Sequence, residues 1–212
     1  MKIELTSTLK PLLQTLPKAP SFLKKAKLPA DGPPLILLHG LNVPRFAMEP
    51  LAFRLRRTYG RTVYNLPVPT RFRDIPETSK FVAERMRALD LPEVDVITHS
   101  LGGVILRWAA NHDDLPSLRR VVMIAPPNTG AWSADFLHMK LGGLLFRLLF
   151  GESGLQARRA DRGLAQRAGL LRGTEVGIVA GGNGSPKGLR NWFGFEGDTD
   201  GTIAVQETIL PG

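Results

Sequence analysis

Cysteine is absent from the 212 residues, which excludes a disulfide scaffold, a thiol nucleophile and a zinc site built on thiolates, and says nothing of the compartment. Long apolar runs are absent too. The longest stretch, Leu141 to Phe150, is interrupted by Arg147, well short of the roughly 18 residues that a spanning helix needs. The opening Met1-Lys2-Ile3-Glu4-Leu5 carries charge early and has no apolar core of a secretory signal, so the expected location is cytoplasmic, peripheral to a membrane at most. Aromatic residues make up only 7% of the chain. Apart from Phe72 between Arg71 and Arg73 they do not interleave with the arginine groups (Arg54, Arg56 and Arg57; Arg71 and Arg73; Arg158, Arg159 and Arg162), and no named nucleic-acid motif is present, so no nucleic-acid partner is expected. Histidine is the last scarcity: there are four, His39, His99, His112 and His138.

What is present is enough apolar sequence, 43%, for the core of one α/β domain. The net charge of +9 favours anionic surroundings, whether a phospholipid surface, an acidic substrate or nucleic acid, and an anionic membrane surface is one partner it allows. Residues 1–32 mix lysines with four prolines and are expected to form a leader draped over the domain, pinned by Leu12, Leu13, Leu16, Phe22 and Leu23.

From residue 35 onward, strand and helix patterns alternate. Leu35-Ile36-Leu37-Leu38 is apolar on both faces, as a central parallel strand requires. Met48, Leu51, Ala52 and Leu55 share a helical face, Thr62-Val63-Tyr64 gives a short strand, and Val82, Met86 and Leu89 line a second helix with Lys80, Glu84 and Arg87 outward. Further strands are expected at 94–98, 121–125 and 175–182. The whole predicts a mostly parallel central sheet flanked by helices. Sites on such sheets form at the carboxyl ends of the strands, where His39 and Ser100 fall.

Residues 94–103, Val-Asp-Val-Ile-Thr-His-Ser-Leu-Gly-Gly, run an apolar strand directly into a helical pattern. Such a junction is a sharp turn that pushes the Ser100 hydroxyl out of the sheet edge. Gly102 and Gly103 let the helix pass close to the strand, and the helix N-terminus leaves the Leu101 N–H beside Ser100. In the helix that follows, Val104, Ile105, Trp108 and Ala109 are expected inward and Arg107 in solvent.

His99-Ser100-Leu101-Gly102-Gly103 resembles the nucleophile elbow of α/β-hydrolases of the lipase and esterase type, with Thr98 in place of the first glycine of the family's G-x-S-x-G pattern. Two further segments are similar to that family. His39-Gly40-Leu41 resembles its oxyanion loop, and Gly197-Asp198-Thr199-Asp200-Gly201-Thr202 its acid loop. The resemblance implies an α/β-hydrolase fold and a cofactor-independent, metal-independent serine hydrolase acting on carboxylic esters or lipids. It assigns Ser100 as nucleophile, the N–H groups of Leu41 and Leu101 as oxyanion donors, and Asp200 as acid with Asp198 the runner-up. It also gives His39, Gly40, His99, Gly102 and Gly103 supporting roles. An acyltransferase or deacylase on a phospholipid or glycolipid, and a non-catalytic lipid-binding or scaffold protein, are the alternatives.

Residues from about 131 to 172 exceed a connecting loop and are expected to form a helical lid or cap, with Gly142, Gly143, Gly151 and Gly154 as hinges. The family order places a histidine base after the acid, and none follows Asp200. The expectation is a chain cut short of that histidine; the alternatives are a displaced histidine such as His138, or a non-catalytic relative that binds lipid or a partner.

Overall fold

The computed structural model describes residues 32–159, 163–182 and 192–210. The expected leader and the turn residues Gly184, Pro186 and Gly188 lie outside the described residues. Five strands, β1 (Leu35–Leu38), β2 (Val63–Leu66), β3 (Glu93–His99), β4 (Ser117–Ile124) and β5 (Glu175–Val179), pair in the order β2-β1-β3-β4-β5. Every pairing is parallel. The expected mostly parallel sheet is therefore present, and its carboxyl edge holds the ends of β1 and β3 side by side, with Leu38 opposite Thr98.

Alternation along β1 shows why it sits near the centre. Leu35 and Leu37 pack with Met48 and Ala52 on the α1 side (Glu49–Tyr59). Ile36 and Leu38 join the main core on the other face, with Val82 and Met86 of α2 (Ile75–Arg87) and Val104 and Ile105 of α3 (Leu101–His112). Both faces being buried, β1 carries no polar side chain. The α2 start is fixed by a reciprocal cap: the Glu77 N–H donates to the Asp74 carboxylate at 2.8 Å, and the Asp74 N–H to the Glu77 carboxylate at 3.3 Å.

At the amino end of β3, Asp95 is 4% exposed and receives hydrogen bonds from two arginines. Arg119 and Arg61 each approach the carboxylate at 2.7 Å. Burial pushes the pKa of this carboxyl up, but the hydrogen bonds from Arg119 and Arg61 together outweigh it and hold the group below its ordinary value.

The expected insertion folds into α4 (Trp132–Leu141) and α5 (Gly143–Gln156), followed by the short α6 (Leu164–Arg167). The α4–α5 turn is made at Gly142, φ 76°. Gly151, φ 70° and ψ −172°, kinks α5, and a Cβ there would collide with the Arg71 carbonyl. The hairpin is tied to the body at several points. Asn42 Nδ2 donates to the Leu149 carbonyl and Ser153 Oγ to the Arg73 carbonyl, both at 2.7 Å. The Ile75 N–H donates to Gln156 Oε1 at 2.6 Å. Among the described residues no helix is long and apolar enough to cross a membrane.

Candidate active site

Ser100 stands alone between strand and helix. Its φ of 51° and ψ of −128° lie where a residue with a Cβ costs about 1–3 kcal/mol, tolerated only if the surroundings over-determine it. They do. The Ser100 N–H extends the sheet ladder to the Ile124 carbonyl at 2.8 Å, and the Ser100 carbonyl accepts from the Gly103 N–H at 3.0 Å. Sterics close the turn. A Cβ on Gly102 would lie 2.8 Å from the carbonyl oxygens of both Leu38 and His39, and one on Gly40 would lie 2.8 Å from Ser100 Cβ. Glycine at 40 and 102 is thus a condition for β1 and α3 to meet at the serine. Thr98, in place of the usual glycine, is fully buried and its hydroxyl has no partner among the described residues. It fits by facing Gly103, where an added Cβ would be only 3.2 Å away.

His39 is 5% exposed. Its Nε2 accepts the Val68 N–H at 2.9 Å, which assigns the ring proton to Nδ1, 3.1 Å from the Gly40 carbonyl. Burial lowers its basicity, the Gly40 contact raises it, and His99 lowers it further. Both ring nitrogens are engaged in shaping the loop after β1. In that loop the Leu41 N–H donates to no group among the described residues, and neither does the Leu101 N–H at the first turn of α3. Leu41, Ser100 and Leu101 line one cavity of about 350 Å³, whose other walls include Val43, Leu137, Phe146, Phe150 and Ile203.

Beyond β5 the acid loop folds on its own side chains. Asp200 accepts the Thr202 and Ile203 N–H groups on one carboxylate oxygen, both at 2.8 Å. No hydrogen bond reaches its second oxygen from the described residues. Its Cβ is packed close to Gly181, and its charge raises the basicity of His99, which burial otherwise lowers. Asp198 holds the loop by its backbone, accepting the Val205 N–H at 2.9 Å. Of the two aspartates, Asp200 is the one whose charge is felt at His99, and Thr202 and Ile203 of its loop line the cavity with Ser100.

Arg107 corrects one expectation. It is not in solvent but fully buried, with burial pushing its pKa down to about 10. Helix α3 is enclosed on nearly all sides, so the guanidinium has no outlet and takes backbone partners instead. Nε donates to the Gly169 carbonyl at 2.7 Å, and Nη1 to the Asn128 carbonyl and Oδ1 at 3.3 and 3.1 Å. Asn128 Nδ2 in turn donates to the Thr208 carbonyl at 2.7 Å. The helix that starts at the serine is thereby linked through Arg107 and Asn128 to the 3₁₀ turn Val205–Thr208 that follows the acid loop. Glu207, 4% exposed, makes a second tether by accepting the Ala204 and Trp132 N–H groups at 2.9 and 2.6 Å. Its burial raises its pKa, against the hydrogen bonds from Ala204 and Trp132 that lower it.

The remaining histidines are occupied elsewhere. His112 stacks on Trp108 at 4.3 Å, and His138 meets Phe146 edge to face at 5.5 Å. Among the described residues no side chain is hydrogen-bonded to Ser100 Oγ, and no cluster of three or more metal-ligating side chains occurs.

Solved structures share this fold. Mature lipase BlEst2 from Bacillus licheniformis superposes with a TM-score of 0.62 at 19% identity, over 87% of this chain and 84% of that one. The chain has the α/β-hydrolase fold. Phospholipase PlaB from Legionella pneumophila, in complex with thio-NAD, gives a TM-score of 0.60 at 17% identity over 83% of this chain. The α/β-hydrolase segment described here spans only 44% of that phospholipase. Neither a protein-family model nor a curated protein matches the sequence.

Proposed function

We propose that this α/β-hydrolase is a serine hydrolase of carboxylic esters, acting on lipid or other acyl substrates. The carrying observation is the backbone of Ser100, held at φ 51° on the same cavity as Leu41 and Leu101, whose N–H groups have no partner among the described residues. A buried donor left unpaired costs about 1–3 kcal/mol, a cost that is recovered when an ester oxygen gains negative charge between them. Ser100 attacks the ester carbonyl, the alcohol leaves, and water hydrolyses the acyl-enzyme. The apolar cavity receives the acyl chain. Lipase and phospholipase among the structural neighbours support the same chemistry.

A serine hydroxyl needs a base, and the four histidines do not supply one in this geometry. The proposed chemistry requires an imidazole with one nitrogen at Ser100 Oγ and the other at the uncommitted oxygen of Asp200. The competing role, lipid binding without chemistry, uses the same cavity and is favoured by the lack of a base contact at Ser100.

The test is reaction with a fluorophosphonate and hydrolysis of a short p-nitrophenyl ester. Both are measured on the 212-residue chain with and without added imidazole as an external base. Rates that rise with base and are abolished in Ser100→Ala are expected. Inertness at every imidazole concentration would remove the enzyme and leave the lipid-binding protein.

A further inference from the structure

The α4–α5 hairpin has two apolar faces, and only one is used by the cavity. Phe146 is 1% exposed and packs with Phe150 at 4.8 Å over the cavity. On the opposite side Leu144 and Leu148, one helical turn apart, are 87% and 71% exposed, and Leu145 and Leu149 are 44% and 42% exposed. Met139 of α4 and Phe72 of the loop before α2 are exposed as well. Four leucines on two turns of a helix in water are far more than the single surface apolar residues that need no explanation.

Cations surround this stripe. Arg147 lies within it, Lys140 closes α4 just before the turn, and Arg71 adjoins Phe72 on the groove shared with Arg147 and Gly151. Arg147 is paired with Glu152 at 3.0 Å, and Asp74 and Glu77 on the same groove are engaged in the α2 cap. Arg71 and Lys140 have no carboxylate partner among the described residues. Leucine on one face with basic residues at its border is the pattern of helices that lie in the headgroup region of a bilayer.

We propose that the α4–α5 hairpin is a docking surface for an anionic phospholipid bilayer, used in the conformation seen here. Two arguments choose this occupant. A second copy of the chain would bring the same patch against itself about a two-fold axis, gathering the Arg71 and Lys140 of both copies, which have no carboxylate partner among the described residues, into one interface of like charge. An anionic surface meets all of them favourably, and the formal net charge of +9 adds to the attraction at low salt. The second argument concerns motion. The ties from Asn42, Ser153 and Gln156, and the close fit of Gly151 against Arg71, hold α5 to the body. Docking therefore needs no opening, and the leucines are already outward.

The inference is independent of any chemistry at Ser100. It is tested by co-sedimentation of the 212-residue protein with phosphatidylcholine vesicles, with and without about one third phosphatidylglycerol, at low and high salt. Binding to the anionic vesicles at low salt is expected, with about a tenfold loss or more at high salt. Leu144→Ser with Leu148→Ser is expected to weaken binding by about tenfold or more without changing the melting temperature, because both side chains are already in water. Arg71→Gln with Lys140→Gln is expected to cost about fivefold per charge, on anionic vesicles only. The lack of native cysteine allows a direct reading: Leu148→Cys carrying a polarity-sensitive fluorophore should shift to the blue on anionic vesicles. Absence of binding at low salt, or unchanged binding by the double serine variant, overturns the proposal. So does a dimer that the serine variant dissociates in the absence of vesicle binding.

Discussion

Gly40→Ala places the proposed chemistry and the fold in direct opposition. The new methyl carbon would stand 2.8 Å from Ser100 Cβ, 3.2 Å from the His99 carbonyl oxygen and 3.3 Å from Ser100 Oγ. Carbon atoms in ordinary contact are about 3.5–4.0 Å apart, so something must yield by roughly 0.7 Å. The serine backbone is poorly placed to do so, being bonded to Ile124 on one side and Gly103 on the other. Either the hydroxyl rotates out of position or the loop after β1 recedes and carries the Leu41 N–H with it. Both outcomes break the alignment of nucleophile and oxyanion donor. A misplacement of about 1 Å at a reacting centre costs on the order of 100-fold, so about 30- to 100-fold is expected here. Overpacking of one methyl costs about 1–3 kcal/mol, or roughly 3–10 °C in melting temperature for a domain of this size, so the variant stays folded at room temperature. The assay is the Ser100-dependent rate of phosphonylation and ester hydrolysis with added base, beside a thermal melt. Gly177→Ala on β5, where an added Cβ meets nothing within 4 Å, is the control and should leave the rate unchanged. A Gly40→Ala protein that melts cooperatively and retains its rate within about threefold would refute the assignment of this turn as the reacting centre.

Three further outcomes follow from the same geometry. Asp95→Asn should cost about 3 kcal/mol at neutral pH by leaving two arginines without their carboxylate. Because folding lowers this carboxyl below its ordinary 3.8, the stabilisation is complete above about pH 4 and fades as pH falls through the lowered folded value. Urea titrations of both proteins across that range check it: the gap between them should narrow only on the acid side. Thr98→Val should be neutral or stabilising by up to about 1 kcal/mol, since it removes a buried hydroxyl that has no partner, and a clear loss of stability would show a hydrogen bond that the structure lacks. Arg107→Lys keeps the charge but cannot span Gly169 and Asn128 together. It should lower the Ser100-dependent turnover rate while leaving KM for a short ester within about twofold, as expected of a group acting on the acid loop and not on the substrate pocket.

The sheet was legible because its pattern is local. Leu35–Leu38 is apolar at every position, a strand covered on both faces, and the strand-to-helix junction at Ser100 is visible in the order of residue types. Gly102 and Gly103 were readable for the same reason, since only a missing Cβ allows that approach. Arg107 was misread because helical periodicity assigns a charged residue to solvent, and periodicity has no information on what packs over a helix from distant sequence. Here Asn128 and the segment around Gly169 cover it. The cavity walls Asn42, Phe193 and Ile203 were missed likewise, as they come from three separated segments with no shared spacing. Asn128 carried a faint signal, a polar residue inside the turn Pro126-Pro127-Asn128-Thr129-Gly130, where a buried side-chain amide commonly bridges two loops.

The parts of the site are not held by equal means. Ser100 and the loop of His39 are fixed by the interior of the sheet: β1 and β3 are paired along their lengths, and the serine N–H is itself part of the ladder with Ile124. Among the described residues the loop of Asp200 has no strand pairing of that kind, only an isolated bridge between Thr199 and Ala204. It is tethered to the body through Arg107 and Asn128, through the Glu207 carboxylate, and through Thr129, whose N–H and hydroxyl both donate to the Glu207 carbonyl. Regions with few ladder hydrogen bonds open at lower free energy than the sheet core. Amide exchange in Thr199–Thr208 should therefore run faster than in β1 and β3, while the hydrogen-bonded Ser100 and Gly103 amides of the serine turn share the protection of the sheet. On the proposed function, Ser100 and the N–H groups of Leu41 and Leu101 keep their places whenever the loop of Asp200 drifts. Activity is then expected to depend on how firmly that loop is docked, which makes Arg107 and Glu207 the positions where sequence change would tune it without touching the turn.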